Sequence, residues 1–178
     1  MVHSLELTFD DAAGAAIIAE VNRLVAAGLR NPHRHQRPHL TLIAARSVEP
    51  AALSALGPVA QRLPITIRLG APIVLSHGAA GAHGGYVLAR SVIPTSELLS
   101  LHATVARLTA GFVDGEFGHS RPGEWTPHVT LARRLSDDQL APALTLVSDN
   151  EVRQVVAAGI RRWDGEARTE TLLAGRAC

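Results

Sequence analysis

One five-residue pattern, Pro-His-apolar-Thr-apolar, occurs twice in this chain, at residues 38–42 and 127–131. The two histidines, His39 and His128, are 89 positions apart. Because successive side chains of a β-strand point to opposite faces, the His and the Thr of each copy share one face if the copy is a strand. Two such strands side by side would bring two imidazoles and two hydroxyls to one pocket.

Composition alone does not account for this repetition. With nine histidines and eleven threonines in 178 residues, shuffling gives roughly half an occurrence of His-x-Thr, so one bare copy carries little information. Requiring the proline and both apolar residues lowers the expectation to under about 0.01. Two complete copies therefore favour a functional feature, and two purely structural strands with half-buried histidines are the less favoured interpretation.

Composition also limits the class of protein. The 178 residues, 47% hydrophobic and 19% charged, predict a globular protein of one domain, or of two small lobes that share a core. A net charge of +1 provides no overall surface for a polyanion, so a nucleic-acid contact would be local. The single cysteine, Cys178, excludes an internal disulfide and a cysteine-rich metal site. The absence of lysine excludes a lysine-adenylate ligase, a P-loop lysine and a Schiff base.

Targeting signals are missing from the sequence. The first ten residues lack the basic segment and the apolar run of a signal peptide, and no uncharged apolar stretch is long enough for a membrane span. We therefore expect a cytoplasmic protein that is a monomer and has no membrane partner.

Hydrophobic periodicity predicts alternating strands and helices. The motif strands are predicted at about 39–45 and 128–135, and the clearest helix at 95–110. Residues 111–126, with four glycines, are predicted to be a long irregular segment of the kind that often serves as a lid or binding loop. Further strands are predicted at 2–9, 65–69, 73–75, 86–92, 152–163 and 167–173, with an interruption at 70–72 and a glycine-rich turn at 78–85. Further helices are predicted at about 10–27, at 50–63 and after Ser136, where Ser136-x-x-Gln139 resembles a capping box.

The order of these elements predicts an α+β fold, organised as a single bilobal domain over residues 1–178. A strand–helix–strand theme is used twice, which indicates pseudo-two-fold symmetry. We expect two mostly antiparallel sheets flanked by helices, with the motif strands facing each other across a central cleft.

The motif residues suit the hydrolysis of a cyclic phosphodiester. That reaction needs a base to activate water and an acid to protonate the departing ribose oxygen, and imidazole, with a pKa of about 6.5, serves either role near neutral pH. His39 and His128 in opposite protonation states would cover both roles. The hydroxyls of Thr41 and Thr130 can donate to the non-bridging oxygens, where charge increases in the transition state. The sequence alone does not order the two histidines.

A metal site is the alternative use of these histidines, because His33 and His35 lie close before His39. However, a threonine two residues after two of the candidate ligands has no role in metal binding. Carboxylate or cysteine partners at ligand spacing are also missing. We therefore predict a site without metal or cofactor, with His33 and His35 in a loop that lines the mouth of the cleft.

The paired His-x-Thr-x strings, their spacing and the strand–helix layout resemble the 2H phosphoesterase superfamily. The closest branch is the bacterial and archaeal 2′-5′ RNA ligase-like proteins, also called RNA 2′,3′-cyclic phosphodiesterases. The resemblance implies metal-independent opening of a 2′,3′-cyclic phosphate to a 2′-phosphate in a cleft between two pseudo-symmetric lobes. It assigns His39 and Thr41 to the first motif and His128 and Thr130 to the second, with His39 as proton donor and His128 as proton acceptor.

Four further residues are candidate substrate contacts. The resemblance implies that Arg133 binds phosphate, although parity on an undistorted strand places Arg134, not Arg133, on the face of the second motif histidine. Arg133 as a solvated surface charge is the alternative. Trp125 either stacks a base or packs in the core. Arg37, two residues before the first motif histidine, and Tyr86 are candidates for the cleft.

The expected function is hydrolysis of 2′,3′-cyclic phosphate ends of RNA or of small nucleotides by two-histidine acid–base catalysis. One alternative is a 2′-5′ RNA ligase or nuclease that works by reversible transesterification, since ligation through a lysine is excluded. The other is a non-catalytic binder of phosphorylated nucleotide ends. Paired proton-transfer groups argue against the binder, because binding alone does not need them.

Overall fold

The computed structural model describes residues 2–34, 36–77, 85–149 and 151–174. The strands are β1 (His3–Phe9), β2 (His39–Val48), β3 (Ile65–His77), β4 (Gly85–Val92), β5 (Val113–Glu116), β6 (His128–Leu135), β7 (Arg153–Asp164) and β8 (Thr169–Ala174). The helices are α1 (Asp11–Ala26), α2 (Ala52–Ala55), α3 (Gly57–Ala60), α4 (Ser96–Thr109) and α5 (Asp137–Leu146). Among these elements, no helix is long and apolar enough to cross a bilayer.

The strands form one eight-stranded sheet in the order β5-β2-β1-β7-β3-β4-β6, with β8 paired to β7. Every neighbouring pair is antiparallel. The predicted α+β class, with mostly antiparallel strands and flanking helices, is confirmed. The two expected sheets are halves of one continuous sheet, because the 12-residue β7 pairs with β3 through its first part and with β1 through its second.

The two motif strands are far apart in the order of the sheet but close in space. Four strands separate β2 from β6 along the hydrogen-bonded path, and yet these two strands contact each other. The sheet must therefore curve strongly, as the accumulated twist of many strands allows. This curvature brings the two copies of the motif to one region.

Local sequence signals determine where the helices begin and end. The Asp10 carboxylate accepts a hydrogen bond from the Ala13 amide at 2.8 Å and so caps α1. Gly28, at a φ of +89°, follows the last turn in the left-handed conformation that glycine adopts without strain. The predicted capping box at α5 is present, with Ser136 and Gln139 bonding each other's backbone amides.

The predicted irregular segment at 111–126 is more ordered than expected, and that prediction is wrong over its first half. Residues Val113–Glu116 form β5 and pair with the outer edge of β2. The buried Ser120 hydroxyl then accepts a hydrogen bond from the Ala44 amide at 3.1 Å, which ties the segment to β2 a second time. A strand this short carries little periodic signal, and the free edge of β2 decides its conformation.

Two other predictions are refined by the structure. The single helix predicted over 50–63 is two short helices, α2 and α3, which are separated at Leu56. Pro58, in the first turn of α3, has no amide hydrogen with which to continue the ladder of α2. The interruption predicted at 70–72 is a register shift within the continuous β3. The glycine-rich turn predicted at 78–85 lies outside the described residues, apart from Gly85.

Candidate active site

The two motif histidines occupy equivalent places in their strands. His39 is the first residue of β2 and His128 the first residue of β6. His39 Nδ1 lies 3.0 Å from the Arg37 carbonyl, and His128 Nδ1 lies 2.7 Å from the Thr126 carbonyl. Because a carbonyl oxygen only accepts, each of these contacts calls for a proton on Nδ1. Nδ1 of His39 also lies 3.3 Å from Arg161 Nη2, a longer contact. Each ring is thus held by the residue two positions earlier. Among the described residues neither Nε2 makes a hydrogen bond, although the Glu6 carboxylate lies 3.5 Å from that of His39.

Two reciprocal hydrogen bonds join the motif strands. His33, which precedes the first motif, donates from Nε2 to the Thr130 carbonyl of the second motif at 2.8 Å. Trp125, which precedes the second motif, donates from Nε1 to the Thr41 carbonyl of the first at 3.0 Å. The backbone carbonyl of each motif threonine therefore accepts a hydrogen bond from a side chain that lies, in sequence, just before the other motif.

His33 is buried and does not line the mouth of the cleft as expected. Its ring meets the His39 ring edge-on, with the centroids 5.9 Å apart. Burial lowers the pKa of His33 to about 4, and the nearby positive charge of His39 acts in the same direction. His33 is therefore neutral at neutral pH and acts as a hydrogen-bond donor with a fixed tautomer. His35, the other predicted loop histidine, lies outside the described residues.

Trp125 also packs against a second buried histidine. Its ring stacks on His102 at a centroid distance of 3.9 Å and an interplanar angle of 7°. His102 Nε2 lies 3.0 Å from the Leu42 carbonyl and 2.9 Å from the Ser120 carbonyl. One face of the indole and its N–H are thus occupied within the protein, and a base-stacking role of Trp125 remains a prediction.

A shift of pairing register in β6 changes which arginine shares the face of His128. Ala89 pairs with Thr130, but Leu88 pairs with Ala132, so β6 carries one extra residue there. An extra residue inverts the alternation of side chains, and the parity argument for Arg134 no longer applies. The positive charge of Arg133 is close enough to lower the pKa of His33, His39 and His128.

Beside His39 lies a buried ion pair that sequence reasoning did not identify. Glu6 of β1 is opposite Thr41 of β2, and Arg161 of β7 is opposite Glu6. Arg161 donates to Glu6 Oε2 at 2.7 Å from Nε, and its Nη2 lies 2.6 Å from the same oxygen. Glu6 Oε1 is 3.5 Å from His39 Nε2. The first motif histidine is therefore buried among charged groups, not among hydrocarbon.

The electrostatic surroundings of the two motif histidines differ. Burial lowers the pKa of His39, and the Glu6 carboxylate opposes that shift without cancelling it. Burial would raise the pKa of Glu6, but the charges of His39 and Arg161 outweigh it and hold that pKa below its usual value. Burial also lowers the pKa of His128, which has no salt bridge to a carboxylate in the described part of the chain.

Two predicted substrate contacts, Arg37 and Tyr86, have partners within the protein. Arg37 pairs with Glu170 at 3.0 Å and borders an open depression of about 340 Å³ between Pro38 and the start of α1. Tyr86 is five residues along β4 from Ser91, the partner of His128, which is about 16 Å at the rise of a strand. A hydrogen bond to Asp137 raises the pKa of Tyr86. Substrate contact by either residue stays a prediction.

A metal-binding arrangement is not found in the part of the chain that the structure covers. Within residues 2–34, 36–77, 85–149 and 151–174, no group of three or more His, Cys, Asp or Glu side chains is placed to hold a metal ion.

Comparison with known proteins identifies the family. The 2′-5′ RNA ligase superfamily matches residues 9–163. No curated protein matches the chain. The crystal structure of TT0787 of Thermus thermophilus is similar, at a TM-score of 0.56 and 16% identity, over 97% of this chain and 95% of that one. The apo structure of Escherichia coli LigT is also similar, at a TM-score of 0.57 and 15% identity, over 96% of this chain and 92% of that one.

A further structure of E. coli LigT, complexed with 3′-AMP, has a TM-score of 0.54 and 14% identity, covering 96% of this chain and 91% of that one. At these identities the structural likeness demonstrates the fold alone.

Proposed function

The chain belongs to the 2′-5′ RNA ligase superfamily, and from this premise we propose that it is a metal-independent phosphoesterase for 2′,3′-cyclic phosphate ends of RNA or small nucleotides. The observation that carries the proposal is the pair of motif histidines on two strands that contact each other. Each has Nδ1 held by a backbone carbonyl and, among the described residues, no hydrogen bond to Nε2. The two imidazoles have different electrostatic surroundings, so one can serve as the general acid and the other as the general base.

The proposed reaction is an in-line attack of water on the cyclic phosphorus. His128 Nε2 takes a proton from the water as its oxygen bonds to phosphorus, and the bond from phosphorus to O3′ breaks. His39 donates its Nε2 proton to O3′, which leaves a 2′-phosphate and a free 3′-hydroxyl. Protons balance, since His128 gains one and His39 loses one, and solvent restores both.

The remaining motif residues would stabilise charge. The hydroxyls of Thr41 and Thr130 would donate to the non-bridging oxygens, where electrostatic stabilisation has its largest effect. Arg133 is the candidate cation for the phosphate, and it forms no salt bridge within the described ranges. Its nearness to both motif histidines supports this role.

The test is turnover of a 2′,3′-cyclic mononucleotide and of an oligonucleotide with a cyclic phosphate end, in the presence of a chelator. We expect a 2′-phosphate product and a bell-shaped dependence of kcat/KM on pH. His39→Ala and His128→Ala should each lose about 10²–10⁴-fold in activity. His3→Ala is the control, because His3 lies at the far end of β1 from the partner of His39. Full activity in either motif variant would exclude the two-histidine mechanism.

The same assay separates the alternatives. A 2′-5′ linked product, formed when an oligonucleotide with a free 5′-hydroxyl is added, would identify the reverse transesterification. Tight binding of the cyclic ends without turnover would identify a binder.

A further inference from the structure

We propose that Glu6, held by Arg161, is a positioning residue that orients the His39 ring and favours the protonated form from which His39 donates to the leaving oxygen. The inference rests on the proposed function, because it assigns to a neighbour of His39 a part in the same proton transfer. It concerns two residues that lie outside both motifs.

The two carboxylate oxygens of Glu6 have different partners. Oε2 receives Arg161, while Oε1 accepts from the Ser4 hydroxyl at 2.5 Å and faces His39 Nε2 at 3.5 Å. The carboxylate is therefore fixed by a guanidinium and a hydroxyl, and it acts on the His39 ring through its negative charge, 3.5 Å from Nε2. Arg161 has a second carboxylate partner, Glu170, and so stays paired if Glu6 is neutralised.

Burial of these three charged or titratable side chains carries a free-energy cost of desolvation. Glu6 is 2% exposed, Arg161 0% and His39 5%. Removing a carboxylate and a guanidinium from water costs several kcal/mol per ion, and apolar replacements of similar volume are often as stable. Stability alone therefore does not require an ion pair here, and its contact with the His39 ring distinguishes it from the equally buried pair of Glu20 and Arg90.

Glu6 is the single acidic side chain in contact with His39 among the residues that the structure describes. The other charged or titratable side chains around the ring come from β7, from β6 and from the loop before β2: Arg161, Arg133, His128 and His33. When charged, these four groups disfavour a proton on His39, as burial does. Glu6 opposes them, whereas among the residues placed by the structure no carboxylate forms a salt bridge with His128. The asymmetry supports His39 as the acid.

The decisive variant is Glu6→Gln, which keeps the shape of the side chain and removes its charge. We expect the His39 pKa, read from its ring protons by NMR titration, to fall by about one pH unit. An acid must be protonated to act, so the basic limb of the kcat/KM profile should move to lower pH by the same amount. At pH values above that limb, activity should be about tenfold lower than in the wild type. The acidic limb should stay in place.

Two further variants separate this role from a structural one. Glu20→Gln is the matched control. Glu20 is 1% exposed and is paired with the buried Arg90, as Glu6 is with Arg161, but it lies on α1 and not beside His39. It should lose comparable stability and leave the pH profile unmoved. Glu6→Asp keeps the charge one methylene further away, and its basic limb should lie between those of the wild type and Glu6→Gln. It also provides the test if Glu6→Gln does not fold.

An unchanged His39 pKa in Glu6→Gln would overturn the inference, whether or not the wild type turns over substrate. Loss of activity that is equal at all pH values would do the same, since it would indicate structural damage. If the wild type has no turnover but the His39 pKa falls in Glu6→Gln, the proposed function fails while the electrostatic part of the inference holds.

Discussion

The hydrogen bond from Trp125 to the first motif can be removed without removing the ring. Trp125→Phe deletes the Nε1–H that donates to the Thr41 carbonyl at 3.0 Å, while an aromatic ring remains to stack on His102. The variant therefore isolates one of the two bonds that join β2 and β6 near the motif threonines. We expect it to lower both the stability and the turnover rate.

The magnitude follows from what the carbonyl loses. A hydrogen bond contributes about 0.5–1.5 kcal/mol net, and an acceptor left without a partner costs about 1–3 kcal/mol. The free energy of unfolding should thus fall by about 1–2 kcal/mol. In a domain of this size, each kcal/mol corresponds to roughly 2–4 °C in Tm. Displacement of Thr41 should reduce kcat more than it changes KM, because a misplaced donor weakens the transition state most.

Urea unfolding followed by circular dichroism measures the first effect, and steady-state kinetics on a 2′,3′-cyclic mononucleotide measures the second. Trp125→Ala, which also removes the ring, is the comparison and should cost about 3–5 kcal/mol. If Trp125→Phe changes the free energy of unfolding by less than about 0.5 kcal/mol and leaves kcat intact, the bond does not hold the motif strands together. If Trp125→Phe costs as much as Trp125→Ala, packing and not the hydrogen bond is responsible.

Three other predictions concern single residues. Arg133→Gln should lower kcat/KM by about 10–150-fold, because it removes a charged hydrogen bond of about 1.5–3 kcal/mol. The matched variant Arg134→Gln should have little effect. Equal losses of kcat/KM in the two variants would contradict the register shift in β6. Burial lowers the pKa of His33 from 6.5 to about 4. Between these two pH values the unfolded chain therefore binds more protons than the folded protein does. Unfolding titrations should therefore show stability falling by up to roughly 3 kcal/mol as the pH drops from 6.5 to 4, with a smaller slope in His33→Asn, and an identical slope would contradict the burial. Gly165→Ala should destabilise the protein by about 1–3 kcal/mol, because its Cβ would overlap the Val2 carbonyl oxygen; an unchanged Tm would contradict that close approach.

Local patterns in the sequence were sufficient for most of the elements and for the family, although they missed β5. Alternation and capping signals are properties of neighbouring residues, so the capping box at Ser136 and the α+β class with antiparallel strands could be predicted directly. The duplicated Pro-His-x-Thr pattern pointed to the superfamily that the comparison identifies. Residue chemistry within that pattern also led to the hypothesis of an acid and a base.

Local sequence patterns could not predict the contacts between distant parts of the chain. Glu6 and Arg161 are 33 and 122 positions from His39, and nothing near either residue in sequence indicates that strand pairing places them against its ring. The available signal was weaker: a charged residue inside an otherwise apolar strand, as Glu6 is between Leu5 and Leu7.

What the sequence determined by itself was the set of reactive groups and the strands that carry them, since these depend on local periodicity and side-chain chemistry. Tertiary structure alone decided the parity of Arg133 and Arg134 relative to the second motif, because register shifts in β6 disturb the alternation on which parity depends. It also decided that His39 has a buried carboxylate beside it and that His128 has none among the described residues. Burial and pairing across a curved sheet thus make two identical motifs electrostatically unequal.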